Sequence, residues 1–178
     1  MERRIPYGIM NYAEMVRKKG YFIDKTRYIK ELESVQNPVF LRPRRFGKSL
    51  LCSMLQYYYD IHEVNRFEEL FENTWIGQYP TDSHNQYIVL KFDFSVIAVS
   101  DNLKDTEYAF NRICTGRILE TWYSYPDYLQ AAPKFAPDEK ASTALSLWLG
   151  YLQKTGAPQV YVIIDEYDNF VNQYITSH

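Results

Sequence analysis

Cysteine is scarce in this chain of 178 residues: Cys52 and Cys114 are too few and too far apart for a CxxC metal knuckle or a disulfide framework. An intracellular chain would keep both reduced, and both are expected as small core residues. Histidine is nearly as rare, and His62, His84 and His178 share no ligand spacing such as HExxH, which argues against a zinc enzyme. With only 7 Gly and 8 Pro the chain is neither fibrous nor disordered in composition. Charge of one sign is missing too: 20 basic against 22 acidic side chains give a net charge of -2. That removes the whole-molecule basic field of a protein that holds nucleic acid by bulk electrostatics, so any such contact has to be a local patch. No apolar run approaches the roughly 18 residues needed to cross a bilayer. The opening MERRIPYGIMNYAEMVRKK lacks the hydrophobic stretch of a secretion signal, so Arg3-Arg4 is not a twin-arginine signal. These absences point to a cytoplasmic protein with no membrane partner.

What is present, 46% hydrophobic and 24% charged residues, suits one globular domain or part of one. Helical spacing marks Asn11 to Lys19, and again Lys25 to Val35, with Asp24 as N-cap and Asn37-Pro38 as the stop. Val39-Phe40-Leu41 reads as a short apolar strand, followed by the irregular Arg42-to-Gly47 segment and a helix from Lys48 to about Asp60. Phe67 to Phe71 is a short helix, and Gln78 to Gln86 a polar loop. Tyr87 to Ser95 alternates Leu90, Phe92 and Phe94 against a mainly polar face, which predicts a strand. Helices are predicted from Leu103 to about Tyr123 and from Glu139 to Lys154, separated by a loop with three prolines. A buried-type strand, Val160 to Ile164, then closes on Asp165-Glu166. Strands separated by long helices predict an α/β fold with parallel crossovers. Ligands in such sheets bind at the carboxyl ends of strands, where both polar clusters of this sequence fall.

The first cluster is Gly47-Lys48-Ser49, between a strand and a helix, where backbone N–H groups and the helix dipole favour phosphate. Gly47 lets the backbone approach an anion, Lys48 can set its ammonium against the outer phosphates, and Ser49 can give its hydroxyl to magnesium. In the usual GxxxxGK[ST] loop the first position is glycine; here it is Arg42, and Pro43 fixes its own φ, so the front of the loop takes a different path. Arg44 and Arg45 either meet phosphate oxygens with side chains or are solvated or ion-paired elsewhere. The candidate nucleotide cradle runs through Arg44, Arg45, Phe46, Gly47, Lys48, Ser49 and Leu50.

An apolar strand ending in Asp-Glu is the pattern of a Walker B element. Asp165 would hold the magnesium shell through retained water, and Glu166 would orient and polarise the water that attacks the terminal phosphate. Alone, the pair fits a helix N-cap and first-turn acid equally well; the upstream loop and the acidic pair support each other. Asp93, late in its strand, lies where it could line the same edge. Asp24, Lys25 and Thr26 read as a capped helix start, with Tyr7, Phe22 and Ile23 near enough in sequence to flank an adenine ring. The spacing of the 17 tyrosines suggests no base-stacking platform.

With GYFIDKT upstream of RPRRFGKS and VYVIIDEYDN downstream, the sequence resembles the AAA-ATPase-like family of bacterial proteins. The likeness extends over IPYGIMNY, FIDKTRYIKELE, FLRPRRFGKSLL, FEELFENTWIG and YIVLKFDFS, nearly the whole chain. The arginine-rich loop that departs from the general motif is itself the family's mark. The resemblance implies a P-loop NTPase three-layer sandwich with a mostly parallel sheet, binding ATP and Mg2+. It assigns phosphate and magnesium to Gly47, Lys48 and Ser49, magnesium to Asp165 and water activation to Glu166. It further implies ATP hydrolysis coupled to a nuclease module or nucleic acid in a longer protein; no position matches the family's sensor or arginine finger. Since the sequence stops twelve residues after Glu166, residues 1–178 are expected to be the N-terminal part of such a domain, with the sheet incomplete and hydrolysis weak. A non-hydrolysing nucleotide switch or scaffold, and a nucleic-acid contact made by Arg42, Arg44 and Arg45, are the alternatives.

Overall fold

The computed structural model describes residues 8–41, 43, 46–97, 100–130, 135–136 and 138–168. The chain divides into two compact units, Met1–Tyr87 and Ile88–His178.

In the first unit α1 (Tyr12–Arg17) starts where the Asn11 side chain accepts from the Glu14 amide. It packs on α3 (Lys48–Tyr59), and the Tyr12 amide donates to Ser53 Oγ at 3.0 Å. The Tyr12 ring stacks on Phe71 and meets Phe22 edge-on, while its hydroxyl donates to the Leu70 carbonyl. Burial, with the Asp24 charge adding to it, pushes that phenol well above its ordinary pKa. Short helices α2 (Tyr28–Leu32), α4 (Phe67–Phe71) and α5 (Trp75–Gln78) bury Ile29, Leu70, Phe71 and Ile76. A 3₁₀ turn, Ile61–Arg66, links α3 to α4. The helix of α5 extends into what the sequence reads as the start of a loop, because Thr74 caps it by accepting from the Gly77 amide.

The second unit holds a two-stranded parallel sheet, β1 (Ile88–Asp93) and β2 (Val160–Asp165), in register from Ile88↔Val160 to Asp93↔Asp165. The connection carries α6 (Leu103–Ser124) and α7 (Ala141–Thr155). Helix α6 packs on β1 and on α7, whose Ala144, Trp148 and Leu152 recur every fourth residue on the buried side. The Val89 amide donates to the Tyr125 hydroxyl at 3.1 Å, so a donor not used between the strands is still satisfied. The fold is therefore α/β, with the parallel pairing the sequence predicts.

Four expectations need correction. The run Val39-Phe40-Leu41 forms no strand among the described residues; Val39 and Leu41 are 70% and 81% exposed. Apolar composition cannot make a strand without a neighbour to accept its hydrogen bonds. The strand predicted to reach Ser95 ends at Asp93, whose carboxylate accepts from the Ser95 amide at 2.9 Å and turns Phe94–Val96 into a 3₁₀ turn. Strand β2 is buried on one face only: Ile163 is covered, whereas Val162 and Ile164 stand 46% and 48% exposed. Their register partners Leu90 and Phe92, on the same sheet face, are buried, so the cover reaches β1 and stops short of β2. Finally, Cys114 is buried as expected but Cys52 is half-exposed.

Candidate functional site

The phosphate-loop residues belong to the first unit. Gly47 has φ 77° and ψ 21°, in the left-handed region, and stands as the N-cap of the twelve-residue α3 with no side chain capping it. A Cβ built on Gly47 meets nothing within 4 Å, so glycine is favoured there by backbone conformation and not by space. Lys48, Ser49 and Leu50, half-buried, form the first turn, and the Leu51 amide is the first to bond back, to the Gly47 carbonyl at 2.9 Å. A helix start of this kind offers backbone donors and the positive dipole end to an anion. Phe46, just before it, is exposed. Arg42, Arg44 and Arg45 lie outside the described residues.

The acidic residues belong to the second unit. Asp165 closes β2, is buried, and accepts from the Glu166 amide at 3.0 Å through Oδ1. Glu166 has φ 53°, a left-handed conformation that costs a non-glycine residue about 1–2 kcal/mol. Residues 166–168 form a bend and turn, so the pair does not cap a helix starting there. Asp93 is the register partner of Asp165, which puts two carboxyl-bearing residues side by side at the carboxyl ends of parallel strands. Among the described residues no group of three or more His, Cys, Asp or Glu side chains is arranged to hold a metal ion.

The Asp24-to-Thr26 stretch has a different role from the one its sequence suggests. Helix α2 begins at Tyr28 with no side-chain cap. The Asp24 carboxylate instead accepts from the Thr26 amide at 2.8 Å and from the Trp75 amide at 2.7 Å, and Thr26 Oγ1 accepts from the Ile76 amide at 3.0 Å. These side chains hold the start of α5. Phe22 packs on Tyr12, Ile23 is exposed, and Tyr7 lies outside the described residues.

Sequence reasoning missed the left-handed Glu166. The late position of Asp93 in its strand, by contrast, does place it on the sheet edge that ends in Asp165.

The parallel strands with helical connections, and a glycine-capped helix bearing lysine and serine, make this an α/β protein consistent with a P-loop-like fold. The chain belongs to the AAA-ATPase-like family, whose model, described as a predicted AAA-ATPase, matches residues 6–178. No curated protein and no solved structure matches it.

Proposed function

We propose that this protein binds and hydrolyses Mg-ATP. The observation that carries the reading is the left-handed Gly47 at the uncapped start of α3, followed at once by Lys48 and Ser49. The α3 amides and the Lys48 ammonium would hold the phosphates, with Arg44, Arg45, Phe46 and Leu50 completing the cradle. Asp165 keeps Oδ2 free of the Glu166 amide, and Glu166 would accept a proton from the attacking water as it aligns that water on the terminal phosphate. Ser49 in the first unit and Asp165 in the second are the residues whose chemistry suits magnesium, which when bound neutralises charge on the phosphate oxygens. The donor set fits that ion, since Mg2+ is ordinarily bound by one or two carboxylates together with substrate phosphates, and a three-carboxylate cage is not required. The strained Glu166 backbone supports the same reading, because left-handed non-glycine residues gather at active sites. The wider arrangement would be the three-layer sandwich of P-loop enzymes, in a cytoplasmic protein; no helix among the described residues is long and apolar enough to cross a membrane.

The test is titration of a fluorescent ATP analogue with and without Mg2+. Lys48→Ala should weaken binding at least tenfold with an unchanged circular dichroism spectrum, and Glu166→Gln should bind normally but release no phosphate. Equal binding by wild type and Lys48→Ala would overturn the reading.

A further inference from the structure

The net charge of this chain forbids a diffuse basic field, yet residues 17–30 hold six cations, Arg17, Lys18, Lys19, Lys25, Arg27 and Lys30, against Asp24 alone. All six are exposed. Lys18 is paired with Glu14 at 2.6 Å, while the other five form no ion pair among the described residues. Both oxygens of Asp24 are turned to backbone amides, Oδ1 to Thr26 and Oδ2 to Trp75. Just beyond, Glu33 accepts from the Tyr59 and Thr81 hydroxyls, while the exposed Glu31 carries a negative charge that acts on Arg27. Counted from residue 14 to residue 33, six cations stand against Glu14, Asp24, Glu31 and Glu33, so the segment's charge remains positive.

Aromatic rings are interleaved with these cations. Tyr21 is 54% and Tyr28 44% exposed, and the Arg27 guanidinium lies 4.9 Å from the centre of the Tyr28 ring while donating to the neighbouring hydroxyl. A guanidinium stacked on one ring is a ready flat surface for a nucleobase. A lipid surface fits less well. Helices α1 and α2 have only six and five residues, and their apolar Tyr12, Met15 and Ile29 are buried inside the unit, so neither has an apolar face left to insert.

We propose that the surface bearing Arg17, Lys19, Lys25, Arg27 and Lys30 together with Tyr21 and Tyr28 binds single-stranded nucleic acid, cations on phosphates and tyrosines on bases. The proposal does not rest on a nucleotide bound at Gly47–Ser49.

Fluorescence anisotropy of labelled single-stranded DNA and RNA 20-mers, titrated with the full chain at several salt concentrations, tests this. Wild type should bind in the range of about 1–100 μM near 0.1 M salt. The triple variant Lys25→Ala, Arg27→Ala, Lys30→Ala should bind at least tenfold more weakly, with the log–log salt slope smaller by about 2, since each lost phosphate contact removes about 0.7. Tyr21→Ala with Tyr28→Ala should lose at least about thirtyfold for single strands, with the slope and duplex binding unchanged. All these side chains are exposed, so circular dichroism should match wild type. Lys48→Ala should keep wild-type oligonucleotide affinity, which separates this surface from the cradle. The proposal is overturned if the triple variant binds like wild type, if Lys48→Ala alone abolishes oligonucleotide binding, if no binding occurs at 0.1 M salt, or if phosphatidylserine vesicles bind and oligonucleotides do not.

Discussion

Asp93 and Asp165 end adjacent parallel strands as register partners, so two acidic side chains share one edge of the sheet. Each is held by a local amide, Ser95 for the first and Glu166 for the second. Like charges side by side on neighbouring strands oppose pairing by about 0.2–1 kcal/mol. Asp93→Asn keeps an oxygen for the Ser95 amide and removes one charge, so the second unit should gain stability of that order, read as a higher urea midpoint. A lower midpoint would show that the pairing is not repulsive.

Glu166→Asn tests whether the left-handed turn is retained for chemistry. Asparagine adopts that conformation more readily than glutamate, so stability should hold or rise slightly while phosphate release falls to background. A marked loss of stability would mean that the glutamate side chain supports the fold.

Asp24→Ala should destabilise the first unit by about 1–2 kcal/mol, because it strands the Thr26 and Trp75 amides at once. Amide exchange at Trp75 should quicken by an order of magnitude or more, while Asp24→Asn, which retains an acceptor, recovers part of the loss. Unchanged exchange in the alanine variant would disprove the clamp.

Burial pushes the Cys114 thiol up to about 11. At pH 8 only about a thousandth of it is thiolate, so a thiol reagent should label the half-exposed Cys52 rapidly and Cys114 only on unfolding. The folded state holds this proton more tightly than the unfolded chain, whose thiol titrates near 9. The associated stability is full below pH 9 and should decline as pH rises to about 11. Replacing Cys114 with alanine should flatten that decline; a decline unaltered by the substitution would assign it to another group.

Sequence legibility followed the range of the interactions involved. The glycine turn at Gly47 and the helix starting at Lys48 were readable because they depend on consecutive residues, and α6 and α7 because their apolar period repeats over many turns. Asp24 reads as a capping residue but is assigned to the wrong helix, since one amide it accepts from, that of Trp75, is 51 positions away, and the acceptor role of Thr26 is not visible in the sequence at all. The strand at Val39-Phe40-Leu41 was misjudged because side-chain character says nothing of whether a partner strand is available. Similarly, VYVII has the composition of a strand covered on both faces, and only the extent of the packing layer reveals that one face is half bare. The φ of Glu166 has no signature in residue type at all.

Bare Val162 and Ile164 make concentration a variable in solution work on this chain. Molecules will be drawn together through that oily strip, so apparent mass on a sizing column should climb with loading and fall again in mild surfactant. A charged residue at position 162 should keep the molecules apart without disturbing the covered Ile163 behind it.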